Sequence, residues 1–93
     1  MSFAPDIIAG LITGLSREVA RQIDLPVSVP LCRHAAWYIA NGGYGLSYEQ
    51  IGAASRVSKQ AVGEACQRVA DKCDDRRLER KIQAVADVFG VSL

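Results

Sequence analysis

Apolar positions recur along this chain at helical spacing and nowhere keep the strict alternation of a half-buried strand. From Pro5 to about Ile23 the residues Ile8, Leu11, Leu15, Val19 and Ile23 fall three or four apart. That predicts an N-terminal helix within residues 1–24, with proline in its first turn. Gly10 and Gly14 weaken it locally, and their spacing predicts close packing against a neighbouring helix, a homodimer seam being the other use of such a pair. Leu25 to Pro30 holds two prolines and predicts an extended connector. A second helix follows over 31–41, with Cys32, Ala35, Ala36 and Ile39 turned inward and Trp37 and Tyr38 presenting large apolar surface at its edge. Asn41, Gly42 and Gly43 tolerate a left-handed cap and are expected to end it.

Residues 47–73 read as two helices joined by a tight turn. Ser47 and Gln50 have the spacing of a capping box, which satisfies two orphaned backbone donors at a helix start. Ile51 is the buried anchor of this short helix. Gly52 leaves room for a second helix to approach, helped by the small Ala53 and Ala54. Ser55, Arg56 and Val57 make the turn, and Arg56 stands where many such motifs place glycine. Arg56 is therefore left-handed, or the turn has another shape. Ser58 caps the next helix, whose apolar positions Val62, Cys66, Val69 and Cys73 are four, three and four apart. Asp74 or Asp75 caps a last helix over 75–89, in which Leu78, Ile82, Val85 and Phe89 repeat the same pattern before Gly90 stops it. Its outer residues Arg76, Arg77, Glu79, Arg80 and Lys81 are mixed in sign, as a solvated face is. The sum is an all-α, compact single domain of four to five helices containing a helix-turn-helix.

A chain of 93 residues that is 49% hydrophobic supports one core. Eleven Lys and Arg against ten Asp and Glu leave a net charge of +1, so composition alone makes no case for nucleic acid and any such binding needs a local patch. Between Arg33 and Arg68 the cations Arg33, Arg56, Lys59 and Arg68 face only Glu49 and Glu64, a local surplus on the paired helices. Cys32, Cys66 and Cys73 are an odd set without a C-x-x-C pair, and they read as reduced thiols of a cytoplasmic protein, with no metal site even counting His34. The apolar start FAPDIIAGLITGL has no basic residues before it and is too short to span a bilayer, so no membrane role is expected. His34 has no nucleophile or acid at readable spacing and no phosphate loop is present, which excludes an enzyme and any cofactor at this level.

The helix that starts at Ser58 has a free face of Ser58, Lys59, Gln60, Gly63, Glu64, Gln67 and Arg68. Lys59 has the reach for guanine acceptors or phosphate and Gln60 the fork for a bidentate pair with adenine. Gly63 costs this helix about 1 kcal/mol relative to Ala. Glu64 is repelled by phosphates unless it accepts from a cytosine amine. Double-stranded DNA is thus the expected partner, met by Arg33, Arg56, Ser58, Lys59, Gln60, Gln67 and Arg68.

The segments RHAAWYIA (Arg33 to Ala40), LSYEQIG (Leu46 to Gly52) and AVGEAC (Ala61 to Cys66) stand in the order and nearly the spacing of a known family. From about Val29 to Phe89 the chain resembles the C-terminal DNA-binding domain of the bacterial replication initiator DnaA, of the same broad helical group as the Trp repressor. The resemblance implies that fold, a general role in DNA recognition, and for Arg33 the place of an arginine that lies on the DNA backbone. The family's Asp-His-Thr-Thr-Val signature corresponds here to Ser58, Lys59, Gln60, Ala61 and Val62, of which only Val62 is shared. The basic minor-groove loop corresponds to the uncharged Leu25 to Leu31, and the initiator's ATPase module has no counterpart.

Two function classes follow. The first is a small non-enzymatic DNA-binding regulator of bacterial or phage type, binding alone, as a homodimer or as adjacent copies. The second is a protein-interaction module, adaptor or inhibitor, on the same fold, with Trp37 or Tyr44 as exposed anchors.

Overall fold

The computed structural model describes residues 4–23 and 29–93 and contains helices α1 (Pro5–Gln22), α2 (Val29–Tyr44), α3 (Tyr48–Ser55), α4 (Lys59–Lys72) and α5 (Arg76–Val88), with no strand among the described residues. α2 is the hub, packing against each of the other four, while α1 also meets α3 and α5, and α3 lies on α4. One core draws Leu15 and Val19 from α1, Ile39 from α2, Ile51 from α3, Val62 and Val69 from α4, and Ile82 and Val85 from α5. Its Cα radius of gyration, 12.0 Å, matches the roughly 12 Å of a folded domain this long.

The helix starts follow local chemistry. Pro5 sits in the first turn of α1, where its missing N–H is no loss. At α3 both halves of the capping box form: Ser47 Oγ accepts from the Gln50 amide and Gln50 Oε1 accepts from the Ser47 amide. Ser58 Oγ accepts from the Ala61 amide at 3.1 Å, and Asp75, rather than Asp74, caps α5 through the Arg77 amide.

Several expectations need correction. Leu25 to Pro30 is not extended throughout: α2 already begins at Val29, with Pro30 in the first turn, where proline is tolerated. The rest of that connector lies outside the described residues. α2 also runs past Asn41, Gly42 and Gly43 to Tyr44, and the left-handed glycine is Gly45, at φ +70°. The paired glycines have another task. A Cβ on Gly43 would stand 2.9 Å from Val91 Cγ2, so the chain after α5 lies directly on this part of α2. In α1 the inward face includes Ile12 while Leu11 is only partly buried, a small rotation of the expected stripe. Gly10 is exposed with open space around it, and a Cβ on Gly14 would meet the Phe89 ring only at ordinary van der Waals distance, so neither serves a close helix crossing.

Candidate functional site

The connection between α3 and α4 is short and stiff. Arg56 closes α3 at φ 60° and ψ 41°, which settles the two alternatives in favour of the left-handed turn. Gly52 is required by this turn rather than by a second helix: a Cβ there would lie 2.7 Å from the Val57 carbonyl oxygen, while Gly52's own carbonyl accepts from the Val57 amide at 3.0 Å. Gly63 is explained by Tyr48, whose ring would meet an added Cβ at 3.3 Å.

α2 grips the same turn from behind. Arg33 Nη2 donates to the Ser55 carbonyl oxygen at 2.9 Å, and Trp37 Nε1 donates to Ser55 Oγ at 3.1 Å. The Arg33 guanidinium lies 4.8 Å from the Trp37 ring centroid, and His34 stacks on the same indole at 5.4 Å. Trp37 is 3% exposed, so it is neither an edge residue nor a surface anchor. The reason is that its side of α2 faces the end of α3, where Ser55 meets it. Tyr44 is half-buried.

All seven expected site residues are exposed: Arg33, Arg56, Ser58, Lys59, Gln60, Gln67 and Arg68. They do not form one face. With Val62, Ala65, Cys66 and Val69 in the core, the 3.6-residue period puts Gln60, Glu64, Gln67 and Asp71 along the outward ridge of α4. Arg68 and Lys72 fall on the flank towards α2, and Lys59 and Gly63 on the flank towards α3. Side-chain surroundings agree, since Gly63 meets Tyr48 of α3 and His34 of α2 feels Arg68 and Lys72. Gln67 donates to Asp71 along the ridge at 3.1 Å, and Ser58 spends its hydroxyl on capping.

His34 and Lys72 were missed by sequence reasoning. Burial first, then the charges of Arg68, Lys72 and Arg33, hold the His34 pKa below its ordinary value of 6.5. It is therefore neutral at pH 7 and lies in a seam of cations between α2 and α4. The i,i+4 spacing of Arg68 and Lys72 was visible, but the pairing of α4 with α2 that brings them to His34 was not.

Among the described residues no three His, Cys, Asp or Glu side chains gather as metal ligands. The three cysteines are unpaired, Cys32 and Cys66 buried and Cys73 half-buried. Burial pushes the Cys66 thiol up to about 11, and burial with Glu79 and Asp74 raises Cys73. No described helix is long and apolar enough to cross a membrane. Comparison with protein-family models, curated proteins and solved structures finds no match to this chain.

Proposed function

We propose that this chain is a small, cytoplasmic, non-enzymatic DNA-binding regulator of bacterial or phage type that lays α4 in a major groove as the second helix of a helix-turn-helix. The observation that carries the reading is a helix start with exposed Ser58, Lys59 and Gln60, set immediately after a left-handed turn that Arg33 and Trp37 hold from behind. Such a helix start, fixed in direction and free of cover, is what groove reading requires. The resemblance to the DnaA C-terminal domain points the same way.

In this reading Gln60 and Gln67 on the ridge read bases, with Lys59 beside them. Arg33, Arg56 and Arg68, joined by Lys72, hold phosphates on the flanks. Arg33 uses one N–H on Ser55 and keeps its other donors for a phosphate. Glu64 and Asp71 on the ridge restrict the approach to sites offering cytosine amines. A net charge of +1 makes the monomer a weak binder, so adjacent copies or a homodimer supply the affinity.

Titration of labelled duplexes drawn from a random pool, over a range of salt, tests this. With about four phosphates neutralised, log affinity should fall with log salt at a slope of about −3.6. Gln60→Ala should flatten preference among sites, and Arg33→Ala should weaken all sites and reduce the slope by about one. Absence of binding at low salt overturns the reading. The carboxylates of Glu64 and Asp71 on the outward ridge then favour the alternative, a protein-interaction module with a basic partner surface.

A further inference from the structure

Away from the α3–α4 turn, a groove of about 360 Å³ runs between α1 and α2. Its volume lies within the roughly 300–1,000 Å³ typical of small-molecule sites. Ile12, Ala20 and Cys32 line it with carbon and sulfur, Thr13 and Ser16 are hydroxyl residues of its wall, and Arg17 and Arg33 flank it from the two helices. Among the described residues no carboxylate lines the groove. Glu18, the neighbouring acid in α1, is held by Arg21 and Gln22, and Arg17 has no ion-pair partner among the described residues. Among the described residues Arg33 meets the Ser55 carbonyl and the Trp37 ring.

An apolar trough flanked by two arginines, with no acid among its described lining residues, is complementary to a molecule with an apolar tail and a negative head. We propose that the α1–α2 groove binds a small apolar monocarboxylate, its tail along Ile12, Ala20 and Cys32 and its carboxylate on Arg17 and Arg33. The planar guanidinium fork matches a carboxylate in shape as well as charge. This goes beyond the DNA-binding reading and stands without it, although Arg33 belongs to both surfaces.

Octanoate is the probe, with octanol and octylamine as equal-length partners that lack the negative charge. Binding is measured without DNA by calorimetry and by the fluorescence of Trp37, the sole tryptophan, against which Arg33 rests. Octanoate should bind saturably, octanol about tenfold more weakly, and octylamine not at all. Arg17→Gln should weaken octanoate about fivefold, as for a solvent-exposed charge contact. Ala20→Glu places a carboxylate in the groove at an exposed helical position, so it keeps the circular-dichroism spectrum and should lower octanoate affinity at least about tenfold. Equal binding of octanol and octanoate, unchanged binding by Ala20→Glu, or no saturable heat with octanoate overturns the proposal. So does a dimer whose formation shuts octanoate out, which assigns the groove to a second copy. Because no DNA is present, these outcomes are separate from those of the duplex titration.

Discussion

The junction of α2, α3 and α4 and the opposite side, where α1 meets α5, are held together by different physics. At the junction both ends of α3 and the start of α4 are fixed by directed bonds: the Ser47–Gln50 box, the Ser58 cap, and the two donors from Arg33 and Trp37 onto Ser55. On the other side α1 starts at Ala4 without a side-chain cap, the Phe89 ring would leave room for a Cβ on Gly14, and Ile7 and Val88 remain 59% exposed. Lys81 donating to the Gln22 carbonyl oxygen is a polar tie there. Burial stabilises without direction, whereas hydrogen bonds fix angles. The α1–α5 side therefore supplies stability, and the junction sets where α4 points.

The strongest way to break this division is in α1. Leu15 is fully buried, and Leu15→Ala should cost about 3 kcal/mol, lowering the thermal midpoint by on the order of 15 °C. Well below that midpoint, duplex affinity should stay as in the wild type; a drop there would show that α1 also sets the direction of α4. Trp37→Phe comes next. It keeps most of the buried ring but leaves Ser55 Oγ without its donor, at a cost of about 1 to 2 kcal/mol in a denaturant melt. Here duplex affinity should fall even though the fold survives, because the turn is loosened.

Arg56→Gly sharpens the contrast at smaller scale. Removing the left-handed strain should stabilise the protein by about 0.5 to 1 kcal/mol, while the loss of one phosphate contact should reduce the salt slope by about one. Stability and binding then move in opposite directions, which purely structural roles would not produce. The smallest effect is expected from pH. His34 is harder to protonate folded than unfolded, so the unfolded chain takes up more protons below pH 6.5 and stability should decline as pH falls through that value towards the lower folded one. Phosphate beside His34 favours the protonated form, so duplex affinity should rise over the same interval. Melts and titrations between about pH 5 and 7, with His34→Gln as the control that flattens both trends, check this.

Much of this is legible in the sequence. The Val62, Cys66, Val69 stripe, the Ser47–Gln50 box and the alternatives for Arg56 depend on residues within one or two turns of each other, and local chemistry decides such features. Trp37 lies inside rather than at the edge because its partner Ser55 is eighteen positions away, and no local periodicity shows which side of α2 the end of α3 covers. The end of α2 was misjudged for a similar reason. Glycine serves both left-handed turns and close approach, and only the return of Val91 and Leu93 over Gly42 and Gly43 distinguishes them. The groove between α1 and α2 was not legible, since it depends on two helices separated by a connector whose path no periodicity defines.

The buried Cys66 gives the molecule a clock. With its thiol at about 11, roughly one molecule in ten thousand carries the reactive thiolate at neutral pH, and the surrounding side chains shut out reagents as well. Alkylation at this position can proceed at an appreciable rate only when α4 lifts from the core and the thiol returns to its ordinary acidity. Its rate therefore reports how far the helix proposed to enter the groove opens, read from the alkylated mass of this one residue.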